Sequence, residues 1–422
     1  MKTKKTITIT GDEIDNALIV IKGGRIEAVG KKVDYPSDSR LIDASDLVAM
    51  PGMINPRSRI GLPPLKRSGN QSHKKTADSY YPPDDDTYEK LLAAGYTLLG
   101  LYADGTGLPG QSLVQSTWKP KPKKGIKDSG LIRITFSRTA RDKKILTATL
   151  TEARKTVEQE KKAASQPATS QPATQPPSGK SQPLEKKKGK PTSHPTTGPS
   201  TKPTTKQAEK PKKPAAPKIK PELAPIVSLL KKTDGYLAHV EFGRASDVIH
   251  FADTVKGFDF PRAYAFVGRN ISDVHHVVMH ELLGGADALV ALPPTMPNMP
   301  LTVNPYNPPR EFAAAGCEVA LYPASDTLPS HEHMRERLSL LVRAGLNRTD
   351  ALKAVTLHAA KYLTLEKDYG SIEKGKRADL IFLDGDPLDP FTKVHRVMIG
   401  GEMVLKLNRQ RNTKQKRFSG NR

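Results

Sequence analysis

Cysteine is nearly missing from this chain. Cys317 alone stands among 422 residues, which excludes an internal disulfide framework and fits a reducing compartment. Its surroundings, "AAAGCEVALYP", alternate like a strand, so the thiol reads as core packing. Long apolar runs are missing too: no stretch approaches the roughly 18 apolar residues of a membrane span, and "MKTKKTITITGDEID" lacks an apolar run of signal-peptide length. A soluble cytoplasmic protein is the expectation. Residues 161–220 have no aromatic residue and no Asp, and hardly a large aliphatic beyond Leu184 and Ile219, while Pro, Lys, Thr, Gln, Ser and Ala recur as in "SQPATSQPATQPP". Such a segment buries too little apolar surface to offset its chain entropy, and is expected to be a disordered or polyproline-like linker.

Acidic residues are in deficit. Asp and Glu number 44 against 67 Lys and Arg, a net charge of +23. The excess is unevenly spread: residues 161–220 hold 14 Lys against Glu185 and Glu209, and the stretch from Val404 to Arg422 holds seven Lys/Arg and no acid. Nineteen of the 23 charges therefore lie in the linker and the tail. That pattern points to weak polyanion contact through linker and tail, not to a basic groove on a folded nucleic-acid reader.

What is present begins with short strands and tight turns. Gly23-Gly24 separates "ALIVIK" from "RIEAVG", a two-residue hairpin signal with β-branched residues on both sides, and Gly400-Gly401 repeats it near the end. Hairpins at both ends predict one small composite β domain, residues 1–50 with 368–407, clasping what lies between. There the pattern changes to short apolar strands alternating with helices. Strands are predicted at 53–54, 96–102, 131–136, 235–241, 262–267, 287–294 and 317–323, with helices such as "TYEKLLAAG", "ASDVIHFADTV", "VHHVVMHELLGG" and "MRERLSLLVRAG", several stopped by Gly. Repeated βα units imply a parallel sheet, and about eight of them a closed barrel spanning 51–160 and 221–367. Residues 408–422 form the basic tail.

Three stretches carry a family likeness: "IKGGRIEAVG" with "LIDASDLVAMPGMIN", "RAGLNRTDALKAVTLHAAKYLTL", and "YGSIEKGKRADLIFLDGDPLDP" with "VHRVMIGGEMV". In order and spacing the chain resembles the amidohydrolase superfamily, closest to its imidazolonepropionase-like branch, over everything except linker and tail. The resemblance implies an α/β fold, a (β/α)8 TIM-like barrel carrying a small β-sandwich built from both chain ends. It further implies hydrolysis of non-peptide C–N bonds by a water activated on one or two divalent metals, zinc if the protein is active. The usual ligands are a His-x-His pair after strand 1, often a Lys or Glu from strand 4, a His from each of strands 5 and 6, and an Asp from strand 8.

Against that ligand set the chain departs sharply. The His-x-His positions, two apart on a strand and so on one side of it, are Arg57 and Arg59. A guanidinium offers five donors, no lone pair and a permanent charge, so it repels a cation instead of binding it. His239 in "YLAHVE" falls where the strand-5 histidine lies, and is either a residual ligand or a hydrogen-bonded structural residue. "AYAFVGRN" offers no histidine for strand 6. Asp326 in "VALYPASDT" matches the strand-8 aspartate, with Pro323 and Ala324 as extra residues before it; a loop or capping role is the alternative. The linker takes the place of strand 4, leaving room for an irregular barrel. His331 and His333 follow strand 8 at the mouth and are candidate ligand contacts, whereas His275, His276 and His280 read as a solvated helix face. "ADGTGLPGQSLVQ", 103–115, resembles a GQ loop of this branch, without the Lys of a phosphate-binding loop; a tight structural turn is the other reading.

Two functions follow. One is an amidohydrolase using a metal held by His239, Asp326 and mouth histidines. The other is a metal-free binding or scaffold pseudoenzyme, weakly active or inactive, in which Arg57 and Arg59 stand in the place of the dication and hold Asp326 or an anionic small-molecule ligand. Substrate and oligomeric state are not legible.

Overall fold

The computed structural model describes residues 1–165, 219–267, 273, 288–298 and 303–406. His275, His276, His280, most of the Pro- and Lys-rich stretch and the tail 408–422 lie outside these residues. The chain divides into two compact units, Met1–Lys155 with Ile219–Arg422, and Thr156–Lys218. The described part of the second is the end of a 26-residue helix, Ala140–Ser165, which runs five residues into the stretch read as linker.

Both chain ends enter one mixed eight-stranded sheet. Its order is Glu402–Lys406, Val394–Ile399, Leu380–Leu383, Asp43–Pro51, Lys2–Ile7, Leu18–Lys22, Arg25–Gly30, with Glu13–Asp15 added on Lys2–Ile7. The glycine pairs turn their hairpins as the sequence predicts: Gly23 and Gly24 have φ of +57° and +79°, Gly400 and Gly401 +57° and +81°. The two tips meet so closely that a Cβ on Gly24 would sit 2.6 Å from the Gly400 carbonyl oxygen. Strands from near both ends thus form a single sheet where a β-sandwich was expected, its face filled by Ile19, Ile26, Leu47, Ala49, Phe382 and Met398.

All seven strands expected between the ends are present: Met53–Ser58, Tyr96–Leu101, Leu131–Phe136, Leu237–Phe242, Arg262–Phe266, Leu289–Leu292 and Glu318–Leu321. The last five run parallel in chain order, and the first two pair parallel with each other. An antiparallel run joins the two sets: Leu113–Ser116 pairs with Tyr96–Leu101, Gly107–Gln111 pairs with Leu131–Phe136, and Ser112 N donates to Leu131 O at 2.8 Å between them. The Gly-rich 103–115 segment is therefore strand along most of its length, not a loop. Among the described residues no ladder joins Glu318–Leu321 to Met53–Ser58, so hydrogen bonds do not close the barrel there, although strands of both sets share one core with Tyr322 and Tyr362.

Leu131–Phe136 and Leu237–Phe242 pair directly over six residues, Leu131 with Leu237 through Phe136 with Phe242. Among the described residues no strand intervenes where a fourth was expected, and His239 sits on the fourth parallel strand in chain order. Helix limits follow ordinary chemistry. Asp84 caps Asp85–Ala94 through Thr87 N, and Gly95, at φ +99°, ends it. No helix among the described residues is long and apolar enough to cross a membrane.

Candidate functional site

Strand alternation decides what faces the centre. On Leu237–Phe242, His239 and Glu241 are two apart and share a side; on the neighbouring strand Arg133 is level with His239 and Thr135 with Glu241. Arg57 reaches in from Met53–Ser58, and its Nε and Nη2 donate to Glu241 Oε1 and Oε2 at 3.1 and 3.3 Å, a two-pronged pairing. Arg133 Nη2 donates to the same carboxylate at 2.5 Å, and its Nη1 donates to Ala103 O. Glu241 is 3% exposed, Arg133 5% and Arg57 17%. The Tyr102 ring lies under both guanidiniums, 4.2 Å from that of Arg57 and 4.4 Å from that of Arg133.

Arg59 serves a second carboxylate. Its Nη1 donates to Asp104 at 2.7 Å and its Nη2 to Pro63 O at 2.8 Å. That second bond ties down a strap whose chain continues to Lys66–Arg67, which pairs with Asp104–Gly105. The space left among Arg59, Leu62, Tyr102 and Asp104 is about 20 Å³, room for roughly one water. Asp326 Oδ1 accepts from Ser58 Oγ at 2.9 Å and from the Arg59 backbone N–H at 3.0 Å. Three guanidiniums and the three carboxylates of Glu241, Asp104 and Asp326 thus balance within one cluster.

The electrostatics follow from this pairing. Burial alone would raise the Glu241 carboxyl, but the charges of Arg133 and then Arg57, with their hydrogen bonds, hold it down at about 2. Burial pulls the Arg57 guanidinium down, and the Glu241 charge more than reverses it, so its proton is held more tightly than usual.

His239 Nε2 donates to Tyr362 O at 2.6 Å, because a carbonyl can only accept, and its ring stacks on the Tyr362 ring at 4.1 Å. Burial lowers its pKa to about 4. His331 is also buried: Nδ1 donates to Thr327 O and Nε2 accepts from Asn55 Nδ2, both at 2.9 Å, which fixes the neutral tautomer. It packs edge-on against Tyr96. His333 is exposed and pairs with Glu336 at 2.9 Å.

The structure therefore gathers Arg57, Arg59 and Asp326 around Tyr102, with His239 deeper on the same strand face as Glu241. It turns His331 into a packed structural group and leaves His333 at the surface. For an anion, Arg57 and Arg59 already hold internal carboxylates, and an external one would have to compete with Glu241 and Asp104. For a divalent metal the donors do not fit: Arg57 and Arg59 are permanent cations, Glu241 is spent on two guanidiniums, and His239 Nε2 on a carbonyl. Among the described residues no three His, Cys, Asp or Glu side chains come together as a ligand set. Sequence reading missed Glu241, Arg133, Tyr102 and Asp104. The available signals were the two-residue spacing in "HVE" and a lone charge inside the apolar strand "LIRITF".

Residues 322–404 match the amidohydrolase family, a span that holds Asp326 and ends in the terminal sheet. The 5'-deoxyadenosine deaminase of Methanosphaera stadtmanae is 30% identical over 96 residues, 22% of this chain and 23% of that protein. The imidazolonepropionase of Caldanaerobacter subterraneus subsp. tengcongensis is 43% identical over 49 residues, 12% of each. The chain thus matches less than a quarter of the length of these curated relatives. The crystal structure of an amidohydrolase from Thermotoga maritima MSB8 superposes with a TM-score of 0.68 at 18% identity, covering 96% of this chain and 99% of that one, which shows a shared fold.

Proposed function

We propose, with an amidohydrolase family domain on an amidohydrolase fold as premise, that this chain is a metal-independent binding or scaffold protein in which an internal ion network has replaced the hydrolytic centre. One observation carries the reading: Glu241 is shared by Arg57 and Arg133 in the buried place where the resemblance puts a dication. Hydrolysis of a C–N bond needs an activated water and a group to take its proton. A carboxylate whose pKa is held at about 2 is a poor base, and both of its oxygens are occupied. His239, buried and bonded through Nε2, is no better placed.

Metal analysis tests this directly. Purified protein dialysed against buffer should retain no stoichiometric zinc, calorimetric titration with zinc should give no saturable heat, and deaminase or cyclic-amide substrates should not turn over. One equivalent of tightly held zinc, with hydrolysis lost on chelation, would overturn the reading. That second reading, a working metallohydrolase, draws on Asp326, which sits on the loop after the last parallel strand with one oxygen engaged by Ser58 and Arg59. Polyanion contact through the Lys-rich stretch and tail is a separate proposal from the charge distribution. Such contact would be weak and steeply salt-dependent.

A further inference from the structure

Where the axial mouth is filled, a cleft of about 580 Å³ opens off the loops that follow the Leu289–Leu292 and Glu318–Leu321 strands. This is the carboxyl-terminal side of parallel strands, where open α/β sheets bind their ligands, and the volume falls within the roughly 300–1,000 Å³ of small-molecule sites. Its wall carries four hydroxyls, Thr295, Ser325, Thr327 and Ser330, with His333 and Arg337 at one side. The hydroxyl loop is ordered by its own bonds: Ser325 Oγ and Thr327 Oγ1 are 2.9 Å apart, and Ser325 N donates to Ser330 Oγ at 3.2 Å. Preorganised donors and acceptors lose little freedom when a ligand arrives.

Charge separates this cleft from three other cavities of the molecule. Arg57, Arg59 and Arg133 all have carboxylate partners, and the 840 Å³ cleft beside the terminal sheet mixes Arg40, Arg396 and Lys406 with Asp46 and Glu402. The 310 Å³ cavity next to it is walled mostly by aliphatic residues of the sheet's own core. Among the described residues Arg337 has no ion-pair partner and no Asp or Glu lines its cleft. An uncompensated guanidinium beside a row of hydroxyls suits an oxyanion carried on a hydroxylated body. The guanidinium takes the anion by paired N–H donors, and the Ser and Thr side chains exchange hydrogen bonds with the alcohols. Met296 and Leu340 supply a carbon face for its backbone.

We infer that this cleft is a ligand site for a small oxyanion-bearing polyol, the phosphate or carboxylate held by Arg337 and the hydroxyls by Thr295, Ser325, Thr327 and Ser330. The inference rests on the binding-protein reading only in expecting no turnover, since ligand affinity and metal content are measured separately.

Calorimetric titration of the full chain with glycerol 3-phosphate, glycerate, inorganic phosphate and glycerol tests it. One of the first two should bind saturably at one per chain, which also tells a phosphate from a carboxylate source, and glycerol should not bind. Arg337→Ala, on an exposed position, should weaken that binding roughly tenfold or more, about 1.4 kcal/mol, while Arg40→Ala in the separate cleft should leave it unchanged. Arg337→Lys, which keeps the charge without the fork, should fall between the two. Absence of saturable binding for both polyol anions, phosphate binding as tightly as they do, or an Arg337→Ala variant that binds like the parent would each overturn the assignment.

Discussion

Replacing Glu241 by Gln removes one negative charge and almost no volume, yet it strands Arg57 and Arg133, of which Arg133 is 5% exposed. Removing one partner of a buried ion pair costs about 3–5 kcal/mol, because the charge left behind stays desolvated without compensation. Against a total stability of about 5–15 kcal/mol for a natural domain, that loss is large. Urea unfolding at pH 7 should therefore show the midpoint falling steeply, with the slope of the transition unchanged. The pH dependence gives a second reading of the same interaction. Glu241 has a folded pKa of about 2 against an ordinary 4.5, so its stabilisation is fully present above about pH 4.5 and is lost as pH falls towards 2. The Gln variant lacks that loss and should be flatter across this window. A cycle with Arg57→Met completes the test: in the Gln background the Met substitution should be less damaging, with a coupling of about 0.5–3 kcal/mol. A Gln variant within about 1 kcal/mol of the parent, or a cycle with no coupling, would refute the claim that the network holds the site together.

Four further outcomes are expected. His239 is buried neutral with a pKa of about 4 against 6.5, so it stabilises fully above about pH 6.5 and progressively less down to 4; His239→Gln should remove up to one proton's worth of slope, about 1.36 kcal/mol per pH unit, in unfolding free energy measured across that range. Asn55→Ala deprives His331 Nε2 of its buried donor and should cost about 1–3 kcal/mol in the same assay. Gly105→Ala should be strongly destabilising, with a lowered melting temperature, since its φ is +144° and a Cβ would lie 1.9 Å from Arg67 O in the strap. Cys317, buried and with its thiol pushed up to about 11, should resist a thiol reagent at pH 8 in the native protein and react fully after unfolding.

Strand positions and hairpins were readable because each is a local pattern. β-branched alternation between Gly-Gly turns gave the terminal strands, and short apolar runs followed by Gly-stopped helices gave the seven central ones. The segment 103–115 misled because its Gly and Pro content reads as loop, while most of its backbone pairs antiparallel with two strands, its positive-φ glycines accommodating a register shift between Gly107 and Gly110. His331 looked like a mouth residue because it follows the last parallel strand by ten positions, but the short helix Leu328–Glu332 turns it inward onto Asn55 and Tyr96.

Composition and order alone determined that arginines stand at 57 and 59, two apart, that strands lie near both ends of the chain, and that most of the net charge lies in the Lys-rich stretch and the tail. Those are properties of residue type and spacing. Only the tertiary structure decided what the arginines do. Glu241, Asp104 and Asp326 are between 45 and 268 positions away from the residues they hold, and no spacing rule relates them. Packing of two separate sheets, with the loop after Glu318–Leu321, brings them together, and at Glu241, 3% exposed, burial makes pairing obligatory, because a charge removed from water must find its counterion inside the fold.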